Sequence, residues 1–314
     1  MSTRPSGRPF EVLRAVKLAL TGATGFVGAH LLDLAIGRGH EVRALTRRAQ
    51  PAREGVTWIE GTLDRPDALA SLVEGADAVI HVAGVINAPD AAGFEAGNVA
   101  GTSSMLAAAE GAGVERFVHV SSLSAREPKL SLYGASKARS EALVEASPLS
   151  TAIVRPPAVY GPGDRETLEL FRMAKRGLVV LPPDGRLSLI HVDDLAALLL
   201  ALAASDAELL IEPDDGRRDG WSHVEFGRAL GTAVGRGVRT FSAPRLLLNF
   251  AARCDRLVRG RNAKLTPDRA AYFCHPDWTV APAQAAPTHL WQARIATEVG
   301  LAATARWYRE AGWL

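Results

Sequence analysis

The chain has 314 residues, 47% of them hydrophobic and 22% charged, which suits a large α/β core with a smaller attached lobe and excludes a disordered chain. With 36 Lys and Arg against 34 Asp and Glu, the net charge of +2 supplies no field to draw the protein onto nucleic acid, and membrane contact is not expected either. Cys254 and Cys274 lack CxxC spacing and a Cys/His cluster, which argues against a disulfide framework or a structural zinc site and for two free thiols in a reducing cytoplasm.

Residues 1–15 carry Arg4, Arg8 and Arg14 with Pro5 and Pro9 but no apolar stretch of signal-peptide length, so they read as a loose leader. From Val16 onward short β-type runs alternate with helical segments. Strands are expected at 17–20, 41–46, 56–60, 78–82, 116–120 and 151–154, and helices at 27–36, 67–74, 99–110 and 133–146. The pattern is that of an α/β fold: a Rossmann-type doubly wound parallel sheet over 16–160 with a smaller C-terminal substrate lobe. Past Arg155 the alternation weakens and prolines gather at 156, 157, 162, 182 and 183. The stretch 161–314 is therefore assigned mostly to the substrate lobe, with segments near 189–213 returning to the Rossmann domain. The apolar run from Leu195 to Ala204 is about half of the ~20 residues a bilayer span needs and predicts a buried helix.

Thr21-Gly22-Ala23-Thr24-Gly25-Phe26-Val27-Gly28 follows the first strand. Glycines at a strand-to-helix turn permit a tight bend, close approach of a pyrophosphate to the backbone, and helix-to-strand packing, with the anion on the helix N-terminus. An NAD site commonly ends its second strand in an acid that holds the ribose; here Thr46-Arg47-Arg48 stand instead. Arg47 and Arg48 are either partners of a 2′-phosphate, which favours NADP over NAD, or solvated surface arginines.

Tyr133 and Lys137 lie four apart in Tyr133-Gly134-Ala135-Ser136-Lys137, on one face of the expected helix. An ammonium beside a phenol stabilises phenolate and makes the tyrosine a usable acid/base for hydride chemistry. His119-Val120-Ser121-Ser122 ends the preceding strand, where a hydroxyl can hold a substrate oxygen.

These features occur in the order found in the extended short-chain dehydrogenase/reductases, the NAD(P)-dependent epimerase/dehydratase family, which the chain resembles over nearly its whole length. The resemblance also takes in His81-Val82-Ala83-Gly84, Asn98 opening the next helix, Arg155-Pro156-Pro157-Ala158-Val159-Tyr160-Gly161-Pro162-Gly163, and the last helix from Trp307 to Leu314. It implies that Ser122 orients the substrate, Tyr133 is the acid/base, and Lys137 lowers the tyrosine pKa and holds the nicotinamide ribose. Ser121 and Ser124 are alternatives to Ser122. It further implies cofactor contacts from Gly22, Thr24, Gly25, Phe26, Val27, Gly28, Thr62, Leu63, Val82, Ala83, Gly84, Val85, Val120 and Pro156. Asn98 would either support the catalytic network or cap its helix. A small-molecule substrate and a homodimer through two helices beside the sheet belong to the same analogy.

The sequence departs from the family at Gly61-Thr62-Leu63, where many members carry an acid near the adenine and where Asp64 comes late, and at Ala158, where sugar-nucleotide enzymes commonly have asparagine. The interval from Ser122 to Tyr133 is short as well. Together these point away from nucleotide-sugars and towards a less polar alcohol or ketone, as in members resembling 3β-hydroxysteroid dehydrogenases and dihydroflavonol reductases. A nucleotide-sugar epimerase or dehydratase is the alternative, and a non-catalytic subunit resembling a respiratory complex I accessory protein is another. The segment 245–259 reads as an amphipathic helix packed on the core, or as one lining an apolar pocket or resting on lipid. Asp193, in His191-Val192-Asp193-Asp194, is expected to cap the following helix, and no histidine spacing suggests a metal.

Overall fold

A computed structural model describes residues 16–260 and 265–314; the expected leader lies outside the described residues. In chain order the first half comprises β1 (Lys17–Thr21), α1 (Phe26–Gly37), β2 (Glu41–Thr46), β3 (Val56–Glu60), α2 (Pro66–Val73), β4 (Ala78–His81), α3 (Ala91–Phe94), α4 (Gly101–Gly111), β5 (Arg116–Val120), α5 (Leu132–Glu145) and β6 (Ser150–Val154). The second half comprises β7 (Ala158–Tyr160), α6 (Leu168–Arg176), β8 (Leu178–Leu181), β9 (Arg186–Leu187), β10 (Leu189–His191), α7 (Val192–Ala203), β11 (Leu209–Ile211), β12 (Trp221–Ser222), α8 (His223–Val234), β13 (Arg239–Ser242), α9 (Arg245–Arg259), α10 (Pro267–Phe273), β14 (Asp277–Trp278) and α11 (Thr297–Glu310).

Seven strands form one parallel sheet in the order β11-β6-β5-β4-β1-β2-β3. The chain leaves β1 towards β2 on one side and later adds β4 on the other, so the order reverses at β1 and opens a crevice beyond the C-terminal ends of β1 and β4. Both faces of the sheet are covered, which is why its central strands are largely apolar: Ala78, Val79 and Ile80 of β4 and Phe117 and Val118 of β5 are fully buried.

On one face, α1 and α7 pack against the sheet through Leu31, Leu195, Leu198 and Leu199. The apolar run expected as a buried helix is α7, and its fully buried leucines contribute about 1.5–3 kcal/mol each. On the other face Leu69, Leu72, Met105 and Val144 of α2, α4 and α5 cover Ala19, Val79 and Phe117. A third cluster, built on Tyr160, Phe171, Trp221, Leu230 and Tyr308, forms the core of the C-terminal lobe. β11 pairs with β6 at the sheet edge, bringing the chain back beside the first half.

Two local expectations are corrected. Asn98 does not open or cap a helix: it lies within a π-helical turn (Glu95–Ala100), and α4 starts at Gly101. The cap of α7 is His191, whose Nδ1 accepts from the Asp193 amide at 3.2 Å, while the Asp193 carboxylate meets His30 Nδ1 at 2.6 Å.

Candidate active site

Gly22 leaves β1 at φ +76°, a conformation strained for any other residue, and a Cβ there would stand 2.8 Å from the Ala83 nitrogen. The Gly25 amide donates to the Gly22 carbonyl at 2.9 Å, closing the turn, and a side chain at Gly28 would collide with that same carbonyl. Gly25 caps α1 without a side-chain acceptor, and the first turn carries no acid. The amides around Phe26 and Val27, with the positive end of the helix, are thus left to an outside anion. Thr24 and Gly25 are exposed on the turn, so the cradle fits a pyrophosphate.

Arg47 and Arg48 follow β2 with exposed side chains that meet no ion-pair or hydrogen-bond partner among the described residues. Their turn is set by Thr46, whose hydroxyl donates to the Arg48 carbonyl at 2.7 Å. Thr62 and Leu63 lie half-buried just past β3, and the Thr62 hydroxyl donates to the exposed Asp64.

Beyond β4, Val82 to Val85 run across the crevice, and Asn98 fixes them. Its Oδ1 accepts from the Val85 amide at 2.6 Å, and its Nδ2 donates to the Val85 carbonyl at 3.0 Å and to Ser136 Oγ at 2.8 Å. Asn98 thereby joins the cofactor side of the crevice to α5. A second link runs behind it: the Ala83 amide donates to Thr21 Oγ1, which meets His81 Nδ1 at 2.8 Å, and His81 Nε2 meets Thr102 Oγ1, itself a donor to the Asn98 carbonyl. Since the Thr102 proton goes to Asn98, His81 carries its proton on Nε2. Burial, helped by the nearby Lys137, pushes His81 down to about 3 and keeps it neutral.

Ser131 caps α5 by accepting from the Gly134 amide at 2.9 Å, which places Tyr133 in the first turn and Lys137 one turn deeper. The Ser122 side chain lies near enough to the Tyr133 hydroxyl to favour its ionised form, and the Phe94 ring stands 6.1 Å from the Tyr133 ring. Lys137 is buried and donates from Nζ to the Val120 carbonyl at 2.8 Å. Burial lowers Lys137 to about 8, with Glu141 opposing the shift. Burial also raises Tyr133, the Ser122 hydrogen bond opposing it. Among the residues of the site, burial is the stronger influence on Tyr133 and favours the phenol.

Of the three serines, Ser122 faces the tyrosine and also caps a 3-10 turn (Leu123–Arg126). Ser124 donates to Ser122 Oγ at 3.0 Å, and Ser121 donates to Glu141 on the far side. Pro156 shapes the same corner by accepting from the Leu123 amide at 3.0 Å. Behind α5, buried Glu141 receives Arg155 at 2.6 and 2.9 Å, and Arg155 reaches Glu212.

Several of these residues were not legible beforehand: Phe94, Ser136, Glu141, Asp268 and Tyr272. Asp268 and Tyr272 come from α10, more than 130 residues away in the chain; the Asp268 carboxylate accepts from the Leu132 amide at 2.8 Å, and Tyr272 lies half-buried close to Tyr133. The only signal for Asp268 is its place in Thr266-Pro267-Asp268, a helix-start pattern that says nothing about α5.

Glycines that shape a phosphate cradle at the sheet's switch point, facing a Tyr/Lys helix across the crevice, define an extended short-chain dehydrogenase/reductase. The chain belongs to the NAD dependent epimerase/dehydratase family, which matches residues 18–210. It is 40% identical over 310 residues to a ceramide reductase of Caulobacter vibrioides, covering 95% of this chain and 96% of that one. It is 32% identical over 210 residues to a 2-alkyl-3-oxoalkanoate reductase of Stenotrophomonas maltophilia, covering 58% and 63% of the two chains. Among solved structures, MoeE5 in complex with UDP-glucose and NAD superimposes with a TM-score of 0.71 at 25% identity, covering 95% of this chain and 99% of that one. No described helix is long and apolar enough to cross a membrane.

Proposed function

We propose that the protein is an NADP-dependent reductase that converts a ketone on a long-chain, amphipathic molecule of the ceramide class into a secondary alcohol. The observation that carries this reading is the placement of Tyr133 and the buried Lys137 one turn apart on α5, with Ser122 just beyond the end of β5. The glycine turn and Val82 to Val85 would hold a nicotinamide dinucleotide, which would supply the hydride for the carbonyl carbon. Ser122 donates a hydrogen bond to the carbonyl oxygen as negative charge builds there. Tyr133, held as phenol by burial, gives that oxygen its proton. The Lys137 ammonium offsets the charge left on the phenolate and is placed to hold the ribose, while Asn98 keeps Val85 and α5 at a fixed separation.

Reduction is supported by the kinship with two reductases, one of them along nearly the full chain. An apolar substrate is supported by the surroundings of Tyr133, which include Phe94, Tyr272 and the half-exposed Leu132. NADP is supported by Arg47 and Arg48, two exposed guanidinium groups just past β2 that have no partner among the described residues. The test is to titrate cofactor-free protein with NADPH and NADH, then add long-chain ketones or nucleotide-sugars while following nicotinamide absorbance. Continuing NADPH oxidation by the ketones is expected. A nucleotide-sugar changed with no net cofactor consumption would overturn the reading in favour of an epimerase.

A further inference from the structure

α9 is amphipathic, and it is turned the opposite way from a helix that serves the core. Ala252 is fully buried and Leu248 partly so, which fixes the side that meets the protein. Leu246, Phe250 and Leu257, at i, i+4 and i+11 and therefore on one stripe, are 83%, 66% and 86% exposed, and Val258 beside them is 84% exposed. Arg245, Arg253 and Arg259 are exposed on the same helix. Its sequence holds four arginines against the single acid Asp255, which is engaged by Arg259 at 3.3 Å and by the Leu265 amide at 2.8 Å. Just ahead of α9, Phe241 of β13 is in register with Val180 of β8, and both are exposed.

We propose that α9 is an interfacial docking helix that seats the C-terminal lobe on an anionic lipid bilayer. Apolar side chains on one stripe with arginines alongside match an acyl layer under a layer of phosphate groups. A second copy of the chain is the poorer occupant, because a two-fold contact would bring like-charged arginines of both helices together. The position has a purpose under the function proposed above, on which this inference rests for its meaning. α10 packs on α9 and reaches the catalytic helix through Asp268 and Tyr272, so the docking face is one helix removed from Tyr133. A two-chain ketone can then pass from the bilayer to the crevice without crossing water. The small net charge of the whole chain conceals this local excess of arginine.

Vesicle flotation tests the proposal without requiring turnover. The full-length protein should float with phosphatidylcholine vesicles containing about 30 mol% phosphatidylglycerol at least ~10-fold better than with phosphatidylcholine alone. The variant Leu246→Gln/Phe250→Gln/Leu257→Gln should lose ~10-fold or more of that binding while keeping its melting temperature, and Arg245→Gln/Arg253→Gln/Arg259→Gln should lose the preference for anionic vesicles. Equal flotation of the wild type and the leucine/phenylalanine variant would overturn the proposal. So would a wild type that does not float, and if the same variant then changes from dimer to monomer in size-exclusion chromatography, the stripe is a self-association surface. Reduction of a short-chain, water-soluble ketone separates the two readings: activity without flotation removes docking alone, and flotation without ketone reduction removes the reductase reading alone.

Discussion

The Asp268 carboxylate accepts a hydrogen bond from the Leu132 amide at 2.8 Å, so a residue of α10 holds the first turn of the helix that carries Tyr133. Ser131 satisfies a second amide of the same turn, at Gly134. The C-terminal lobe is therefore part of what fixes the tyrosine. Asp268→Ala should cost ~1 kcal/mol of stability by loss of a capping contact and lower kcat several-fold by loosening Tyr133. Asp268→Asn keeps an acceptor oxygen and should restore most of the rate; thermal melts and steady-state kinetics of the pair check this, and equal rates in all three proteins would contradict it.

Tyr133→Phe removes the proposed proton donor and leaves the packing against Phe94 and the glycine cradle in place. It should lower kcat by a factor of about 10²–10⁴ with dinucleotide affinity within a few-fold of wild type. Calorimetric titration with NADPH alongside the kinetics separates the two effects.

Lys137 sets a pH limit. Its folded pKa of about 8 lies below the ordinary 10.5, so the ammonium is present below about pH 8 and lost above it. kcat/KM measured against the dinucleotide, which reports the free protein, should hold below that value and fall above it. The sign for stability is opposite. Between the two pKa values the unfolded chain binds the extra proton, so the penalty of burying the charge is relieved as pH rises through that window. A rate profile that stays flat to about pH 10 would remove Lys137 from the mechanism.

Gly28→Ala places a methyl group against the Gly22 carbonyl, with no flexible side chain to give way. Dinucleotide binding should fall by ~100-fold or more and the melting temperature should drop, because the turn must open before α1 can pack. Fluorescence titration with NADPH reads the first effect and a thermal melt the second.

Arg47→Ser with Arg48→Ser should weaken NADPH by ~10- to 100-fold while leaving NADH nearly unchanged, since only the 2′-phosphate loses its partners. An equal loss for both cofactors would place the arginines outside the ribose subsite.

The sheet was legible because its central strands β1, β4 and β5 are buried on both faces and so read as largely apolar runs, and because Gly39 and Gly113, at φ +79° and +69°, mark where α1 and α4 stop. The Tyr133/Lys137 pair was legible because a helix turns its i and i+4 positions the same way. Asn98 was placed in the right neighbourhood but in the wrong local structure, since a π-helical turn has no sequence signature to set it apart from the start of α4. Asp268 and Tyr272 were invisible for a different reason: their contact with α5 depends on how two distant segments dock, and no local pattern encodes that. The orientation of α9 was likewise out of reach, because periodicity gives an amphipathic helix its two faces without saying which one meets the core.

Hydride transfer to a ketone carbon, with a proton from Tyr133, can be followed by isotope transfer. The protein is given NADPH deuterated at the transferable C4 position and a long-chain ketone, and the product alcohol is analysed by mass spectrometry. One deuterium is expected on the carbinol carbon per molecule of NADPH oxidised, with Tyr133→Phe giving the same labelled product at a greatly reduced rate. An unlabelled product with the cofactor returned unchanged would contradict it.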